Sequence, residues 1–156
     1  RSSDLLFCDI DHFKDINDTW GHAVGDAVLV TMASRVRESV RQGDMVGRIG
    51  GDEMLVVLFG LRGYDEVVSI ADGIRCRAAE PIHESGQTVH ATLSIGATLA
   101  APGESVSSII GRADTAMYQA KLGGRNAVVR IESTEPRAHV GSSKRDIATR
   151  GFTASR

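Results

Sequence analysis

The pattern of apolar and polar residues predicts that short strands and amphipathic helices alternate along most of the chain. Residues 5–10 are apolar on both sides of the backbone, which is typical of a central strand covered on both faces. The residues between this strand and position 26 are rich in Asp, Asn and Gly, so we predict a turn region there. Residues 26–41 carry a valine or a methionine at every fourth position, which predicts an amphipathic helix.

The middle of the chain predicts a hairpin followed by a second helix. Two strands are predicted over residues 45–49 and 54–59, with Gly50-Gly51-Asp52-Glu53 as the tip of the hairpin between them. Apolar residues at helical spacing predict a helix over residues 65–79. Residues 89–99 are typical of one long or bent strand, with Gly96 as the expected irregularity.

The last predicted elements are a third helix and a final strand. The helix covers residues 107–122 and is expected to end at Gly123 and Gly124, and the strand covers residues 127–131. The whole order of elements predicts an α/β (α+β) sandwich, in which helices pack on a mostly antiparallel sheet. Such a sandwich is similar to a ferredoxin-like core.

Composition and charge separate residues 1–132 from the rest of the chain. From residue 133 onward Ser, Thr, Gly, Arg and Lys dominate, so we predict that residues 133–156 form a disordered tail or linker. Residues 1–132 carry 13 basic and 18 acidic side chains. Because binding of nucleic acid needs a dense footprint of Lys and Arg, we expect no nucleic-acid partner for this acidic domain.

The cysteines and the apolar runs bear on cellular location. Cys8 and Cys76 lie outside any CxxC motif, which favours free thiols in a reducing cytosol and leaves one disulfide as the alternative. The longest apolar runs are far shorter than the roughly 20 residues of a membrane span. We therefore predict a cytoplasmic domain without direct membrane contact, which can still be the cytosolic part of a larger, membrane-attached protein.

Carboxylates are predicted to converge at one end of the sheet. Asp9 and Asp11 end the first strand, and Asp52 and Glu53 lie at the hairpin tip. If the two strands are neighbours, three or four carboxylates meet there, which is a density of hard oxygen ligands that suits Mg²⁺. Two such ions about 3.5–4 Å apart can clamp the attacking and leaving oxygens of a phosphoryl transfer.

These segments also have simpler structural interpretations. Asp11 lies just before a helical turn that starts at Phe13, and for this side chain we favour helix capping over metal binding. A lone Gly-Gly-Asp-Glu is more often an ordinary hairpin turn than a site. However, Gly50 and Gly51 would also let a phosphate or a base approach the tip closely, and the combination of segments favours a site.

Four segments resemble, in order and spacing, the motifs of the GGDEF family of diguanylate cyclases. They are DIDHFKDIND at residues 9–18, GHAVGD at 21–26, RIGGDEM at 48–54 and AKLGGRN at 120–126. The resemblance implies a nucleotidyl-cyclase-like fold that condenses two GTP into cyclic di-GMP and pyrophosphate. It also implies Mg²⁺ as cofactor, with Mn²⁺ as the alternative, and a second GGDEF domain as partner in a catalytic homodimer.

The resemblance further implies roles for individual residues. Asp9 and the carbonyl of Ile10 would bind magnesium, Asp52 and Glu53 would complete the metal site, and Asp52 would activate the 3′-hydroxyl. Asn17 and Asp26 would hydrogen-bond the guanine edge, and the backbone near Phe13 and Lys14 would hold the triphosphate together with Lys121 and Arg125.

Other positions keep two interpretations. Lys121 can also cap the helix that it ends, and His22 either contacts the nucleotide or only packs within its turn. Arg41 and Asp44 have the Arg-x-x-Asp spacing of the family's product-inhibition site, where cyclic di-GMP would bind. Their alternative is a salt bridge that ends a helix, and we favour feedback.

The sequence departs from the family pattern in two places. Met54 stands where the family name has Phe, and we expect the packing to adapt. The family's opening helix and its Leu-Thr-Gly-Leu-x-Asn-Arg stretch do not precede the first strand here, so we expect apolar sheet surface to be uncovered and one phosphate contact to be lost. Two rival functions stay open, namely a non-catalytic GGDEF domain that senses GTP or cyclic di-GMP, and a ferredoxin-like protein-interaction module.

Overall fold

A computed structural model describes residues 2–134, which form seven strands and four helices. In chain order they are β1 (Ser3–Ile10), α1 (Phe13–Trp20), α2 (His22–Glu38), β2 (Met45–Gly50), β3 (Glu53–Phe59), α3 (Tyr64–Ala78), β4 (Ile82–Glu84), β5 (Gln87–Val89), β6 (Leu93–Leu99), α4 (Val106–Leu122) and β7 (Ala127–Arg130). The predicted tail, residues 133–156, lies outside the described residues apart from its first two positions.

The main sheet has five strands in the order β2-β3-β1-β6-β7. The central strand β1 runs antiparallel to both β3 and β6, β2 runs antiparallel to β3, and β7 runs parallel to β6. The mostly antiparallel sheet with packed helices is therefore confirmed. Strands β4 and β5 form a separate two-stranded hairpin.

Each face of the main sheet packs against a different set of helices. Alternate side chains of β1 point to opposite faces, so Leu6 and Cys8 join the core formed with α2 and α3. Leu5 and Phe7 instead pack with Ala113 and Met117 of α4. Asp9 of β1 and its ladder partner Glu53 of β3 emerge on the same face as α4.

Gly96 of β6 has a different role from the one predicted. Its strand keeps a regular register with β1 and β7, so the position is not an irregularity. A β-carbon built on Gly96 would lie 2.0 Å from the carbonyl oxygen of Ala113 and 2.4 Å from the amide nitrogen of Met117. Glycine is needed here because α4 lies directly against the sheet backbone.

Two predicted boundaries are wrong for identifiable physical reasons. The predicted turn region contains the helix α1, in which Ile16 is the buried residue, and one buried side chain in two helical turns gives almost no periodic signal. The predicted strand over residues 89–99 is two strands that belong to different sheets. Buried Val89 and Ala91 made the apolar pattern continuous across the break.

Two further observations concern the cysteines and the helices. Cys8 is buried, Cys76 is exposed, and both are free. Within residues 2–134 none of the helices combines the length and the apolarity that crossing a bilayer requires.

Candidate functional site

The end of β1 and the tip of the β2–β3 hairpin are in direct contact. Asp9 and Glu53 are Cα partners in the antiparallel ladder, and the amide of Ile10 donates to the carbonyl of Asp52 at 3.2 Å. Directly opposed residues of a ladder project from the same face, so Asp9 and Glu53 both emerge on the face that α4 covers. The predicted convergence of the strand end and the hairpin tip is confirmed.

The hairpin tip is open on its outer side. Gly51 has a φ of 42°, which favours glycine, and its carbonyl accepts a hydrogen bond from Nε of Arg48 at 2.8 Å. The ladder between β2 and β3 shifts register between Arg48 and Gly50. A β-carbon added at Gly50 or Gly51 would meet no atom within 4 Å, so a ligand can reach the tip backbone.

Asp9 makes a close ion pair and also has an oxygen without a partner. Its Oδ2 lies 2.6 Å from Nζ of Lys121 on α4, whereas its buried Oδ1 has no hydrogen-bond partner among the described residues. Burial and, to a smaller extent, the neighbouring Asp52 raise the pKa of Asp9 to about 7, although Lys121 partly opposes them. An unpartnered buried oxygen is unfavourable, so this atom is available to a cation.

The donor set fits a hard cation that also binds substrate. Within residues 2–134 there is no group of three or more His, Cys, Asp or Glu side chains arranged to hold a metal without help. Mg²⁺ commonly uses one or two protein carboxylates and completes its shell with water and substrate phosphates. The oxygens of Asp9, Ile10, Asp52 and Glu53 therefore suit magnesium together with a nucleotide.

The C-terminal end of α4 carries the two predicted phosphate ligands. Helix α4 ends in a Schellman motif. The amide of Arg125 donates to the carbonyl of Ala120 at 3.0 Å, and the amide of Gly124 donates to the carbonyl of Lys121 at 3.4 Å. The predicted end of the helix at Gly123 and Gly124 is confirmed. The side chain of Lys121 pairs with Asp9, which brings a cation to the carboxylates of the sheet.

Asp11 does not cap α1 and binds partners from other parts of the chain. The N-cap of α1 is His12, which makes no side-chain cap hydrogen bond, so the capping prediction is wrong. The carboxylate of Asp11 is 3% exposed and accepts hydrogen bonds from Oγ1 of Thr92 at 2.7 Å, Oγ of Ser94 at 2.6 Å and the amide of Asn126 at 3.0 Å. These partners are distant in sequence, so no local pattern could have identified them.

The predicted guanine ligands are brought together by the junction of α1 and α2. A β-carbon on Gly25 would lie 1.7 Å from Oδ1 of Asn17, so the amide of Asn17 rests against the backbone next to Asp26. Asn17 is half-buried and Asp26 is exposed. The junction of the two helices thus places the Asn17 amide against the residue that precedes Asp26.

The remaining predicted nucleotide contacts lie on the same two helices. Phe13 is partly buried and packs against the core, while Lys14 is exposed. His22 is exposed at the first position of α2. These positions agree with a backbone contact near residues 13 and 14, and they leave both interpretations of His22 open.

Arg41 and Asp44 form a connected pair. Nε of Arg41 lies 3.2 Å from Oδ2 of Asp44, and Nη2 of Arg41 donates to the carbonyl of Phe59 at 2.5 Å. Asp44 is buried, and burial alone would raise its pKa, but hydrogen bonds from Arg41 and from the amide of Phe59 outweigh burial and lower it. The salt bridge interpretation is therefore confirmed, and about half of the Arg41 side chain is exposed to solvent.

The sequence matches proteins of one family. The profile described as "Diguanylate cyclase, GGDEF domain" matches residues 1–127. Diguanylate cyclase TpbB of Pseudomonas aeruginosa is 40% identical over 147 residues, which is 93% of this chain and 34% of TpbB. The chain thus spans about a third of the length of this relative.

Solved structures agree with the sequence. The crystal structure of the GGDEF domain of TpbB matches with a TM-score of 0.80 and 40% identity, covering 85% of this chain and 84% of that one. The GGDEF domain of DgcB from Caulobacter crescentus, in complex with cyclic di-GMP, matches with a TM-score of 0.77 and 34% identity, covering 83% and 77%. Its sequence profile, its fold and the order of its motifs show that this chain belongs to the GGDEF family.

Proposed function

We propose that this chain forms a diguanylate cyclase domain that condenses two GTP molecules into cyclic di-GMP. The pairing of Asp9 with Glu53, with Lys121 at 2.6 Å from Asp9, carries the proposal. It puts carboxylate oxygens for a cation beside an ammonium group that can neutralise a phosphate. The name of TpbB, a diguanylate cyclase, supports the same reaction.

Magnesium would be held by Asp9, the carbonyl of Ile10, Asp52 and Glu53, and Mn²⁺ could replace it. When bound, the cation lowers the pKa of the 3′-hydroxyl and stabilises the charge that develops at the α-phosphate. Lys121 has three N–H donors, so it can contact both Asp9 and a phosphate oxygen.

The chain's own residues would then guide each transfer. Asp52 accepts the proton of the 3′-hydroxyl, the freed oxygen forms a bond to the α-phosphorus of the other GTP, and the bond from that phosphorus to pyrophosphate breaks. Lys121 and Arg125 neutralise the departing pyrophosphate. Two such transfers close the ring and release two pyrophosphates.

The guanine would be read by Asn17 and Asp26. The amide of Asn17 and the carboxylate of Asp26 offer a donor and acceptors to the base edge. Because Gly25 has no side chain, it leaves room for the amide of Asn17. ATP would leave these groups unpaired, which is the physical basis for selecting GTP.

Turnover would require two domains face to face. One domain carries one set of guanine and phosphate ligands, whereas the product joins two nucleotides. A homodimer of GGDEF domains would bring the two GTP molecules together and raise their effective concentration. The substrate and the cofactor also imply a cytoplasmic location for the domain.

Product feedback would act through Arg41 and Asp44. The side chain of Arg41 is 54% exposed, and its guanidinium has a planar fork that suits phosphate oxygens and the guanine edge. Cyclic di-GMP in the DgcB complex shows that another GGDEF domain binds this product.

Product analysis tests the proposal directly. Purified protein is incubated with GTP and Mg²⁺, and the products are separated and identified by mass. We expect cyclic di-GMP, no product when Mg²⁺ is replaced by a chelator, and no product from ATP. Binding of GTP without any product, over a range of protein concentrations that includes the dimer, would instead support the non-catalytic sensor.

A further inference from the structure

We propose that buried Asp11 is a positioning residue for the phosphate end of the site, because it holds the turn at residues 124–126 and so sets the place of Arg125. The inference rests on the proposed function for the phosphate contacts of Lys121 and Arg125. Asp11 is 3% exposed, so its carboxylate is occupied by protein donors and is nearly closed off from solvent.

The turn that carries Arg125 is unfavourable without external support. Gly124, Arg125 and Asn126 have φ values of 118°, 64° and 45°, so three consecutive residues adopt positive φ. Left-handed backbone costs about 1–2 kcal/mol for an ordinary residue, and Arg has no local side-chain interaction that compensates for it. The surroundings must therefore determine this conformation.

The turn is held from two further elements besides α4. The amide of Asn126 donates to Oδ2 of Asp11 at 3.0 Å, beyond the end of β1. The side-chain oxygen of Asn126 accepts a hydrogen bond from Nη1 of Arg75 on α3 at 3.0 Å, and Nε of Arg75 donates to Asp72 at 2.8 Å. Asn126 is thus fixed by its backbone and by its side chain at the same time.

Asp11 is itself tightly fixed. Its carboxylate accepts from the hydroxyls of Thr92 and Ser94 at 2.7 and 2.6 Å, and its amide donates to the carbonyl of Thr92 at 2.9 Å. Ser94 is fully buried. An anion held by three donors in a buried place is a rigid anchor for the amide of Asn126.

The region at the end of β1 therefore contacts the region around Arg125 twice. Asp9 pairs with Lys121 at 2.6 Å, four residues before Arg125, and Asp11 binds the amide of Asn126, one residue after it. Arg125 is bracketed by two contacts that start two residues apart in the sequence. Loss of the hydrogen bond between Asp11 and the amide of Asn126 would therefore free the backbone that directly follows Arg125.

The test separates affinity for the triphosphate from affinity for the base. The probes are 3′-deoxy-GTP, which cannot form product, and GMP, which lacks the two outer phosphates. Dissociation constants of both are measured in Mg²⁺ for wild type, Asp11→Asn, Arg125→Ala and the double variant. In Asp11→Asn the negative charge is lost and an amide NH2 group, which is a donor, replaces one carboxylate oxygen that accepts hydrogen bonds, so the anchor is weakened at nearly constant volume.

We expect Asp11→Asn to lose about tenfold or more in affinity for 3′-deoxy-GTP while its affinity for GMP changes by less than about threefold. In the Arg125→Ala background the same change should have almost no further effect, because Asp11 acts through Arg125. Equal losses for both probes, or losses that add independently of Arg125, overturn the inference. A wild type that does not prefer 3′-deoxy-GTP over GMP overturns the proposed function instead.

A second variant keeps the test decisive if Asp11→Asn fails to fold. Asn126→Gly retains the amide that donates to Asp11 and tolerates positive φ, but it removes the side-chain contact with Arg75 and loosens the turn. We expect a smaller loss of preference for 3′-deoxy-GTP over GMP, with a melting temperature close to that of wild type. An unchanged preference in this folded variant contradicts the premise that the place of Arg125 depends on how firmly this turn is held.

Discussion

Asp9 of β1 and Lys121 of α4 form an ion pair with 2.6 Å between Oδ2 and Nζ, although 112 positions separate them in the chain. The pair joins a carboxylate with a raised pKa to an ammonium group at the end of a helix. Lys121 is 24% exposed, so the ammonium can also meet a ligand from solvent. One contact thus connects the metal end of the proposed site with its phosphate end.

The first prediction concerns the metal ligands. Glu53→Gln and Asp9→Asn should each lower the rate of cyclic di-GMP formation by more than about 100-fold, because each removes a charged oxygen ligand. The fold should survive, since Oδ1 of Asp9 has no hydrogen bond to lose among the described residues. Initial rates at saturating GTP and thermal melts are compared with those of wild type. A folded variant with near-normal turnover would refute the metal assignment.

The second prediction concerns base selection. Asn17→Ala should reduce the preference for GTP over ATP by about tenfold, because the guanine edge loses one hydrogen-bond partner. Competition binding with the two nucleotides measures the change. Thr19→Ala, at an exposed position on the same helix, is the matched control and should keep the preference of wild type. If both variants discriminate equally well, Asn17 does not read the base.

The third prediction concerns feedback. Arg41→Ala should relieve inhibition by added cyclic di-GMP without lowering the initial rate, because Arg41 lies at the start of the loop before β2 and away from the strand ends that carry Asp9 and Glu53. Arg77→Ala, which removes an arginine from surface ion pairs at the end of α3, serves as control. Inhibition curves that coincide for wild type and Arg41→Ala would mean that Arg41 and Asp44 only fasten the loop to Phe59.

The fourth prediction concerns acid stability. Glu104 accepts hydrogen bonds from the amide of Ala101, the hydroxyl of Ser108 and the guanidinium of Arg112, and these bonds, led by those from Arg112, lower its pKa from 4.5 to about 2. A carboxyl whose pKa is lower in the folded state stabilises the fold above its unfolded pKa. That contribution is therefore complete above about pH 4.5 and is lost as the pH falls toward about 2.

Glu104→Gln tests this dependence. The variant should be less stable than wild type by about 1–3 kcal/mol at pH 7, because it loses hydrogen bonds to a charged group. Urea unfolding at pH 7, 4.5 and 3 should show the difference shrinking as the pH falls. A difference that stays constant across this range would show that the effect comes from shape and not from charge.

The fifth prediction concerns the sheet face beside α4. A cavity of about 1140 Å³ lies there, lined by residues that include Leu5, Leu55, Val57, Ile109 and Ile110. Met45, the ladder partner of Val57, is 60% exposed on the same face. Lengthening the N-terminal end by a helix with a Leu-Thr-Gly-Leu-x-Asn-Arg stretch should raise both melting temperature and turnover, since buried apolar surface contributes about 25 cal/mol per Å².

A matched variant shows whether the added helix acts on this face. Val57→Ser should cost the shorter chain little, because Val57 is only partly buried, but it should remove much of the gain from the added helix. Thermal melts and product assays compare wild type and Val57→Ser, each with and without the added helix, at equal concentration. Equal stability and activity with and without the helix would show that the segment is dispensable.

Much of the fold could be predicted because its elements bury regular apolar patterns. Strand β1 was predicted from its two-sided apolar run and helices α3 and α4 from periodicity, and the predicted hairpin tip does lie at the end of β1. Helix α1 was not predicted because Ile16 is its one buried residue. The β4–β5 hairpin was not predicted because the turn at Ser85 and Gly86 was its only signal in the sequence. These elements are short and are stabilised by tertiary packing.

The motifs name candidate ligands, but they say nothing about the residues that support them. Asp9, Asp52 and Glu53 are candidates because of their residue types and stay predictions, although the structure places Asp9 opposite Glu53. Asp11 was misassigned because its hydrogen-bond partners Thr92, Ser94 and Asn126 lie 81, 83 and 115 positions away. Only the three-dimensional arrangement shows such contacts.

The missing side chain of Gly96 has a consequence for how accurately α4 is placed. The helix backbone rests on the strand with no room for even a methyl group, since a β-carbon would lie 2.0 Å from the carbonyl oxygen of Ala113. Any larger residue would lift the middle of α4 and carry its far end, with Lys121, away from Asp9. The distance between Asp9 and Lys121 therefore depends on the absence of a β-carbon at Gly96.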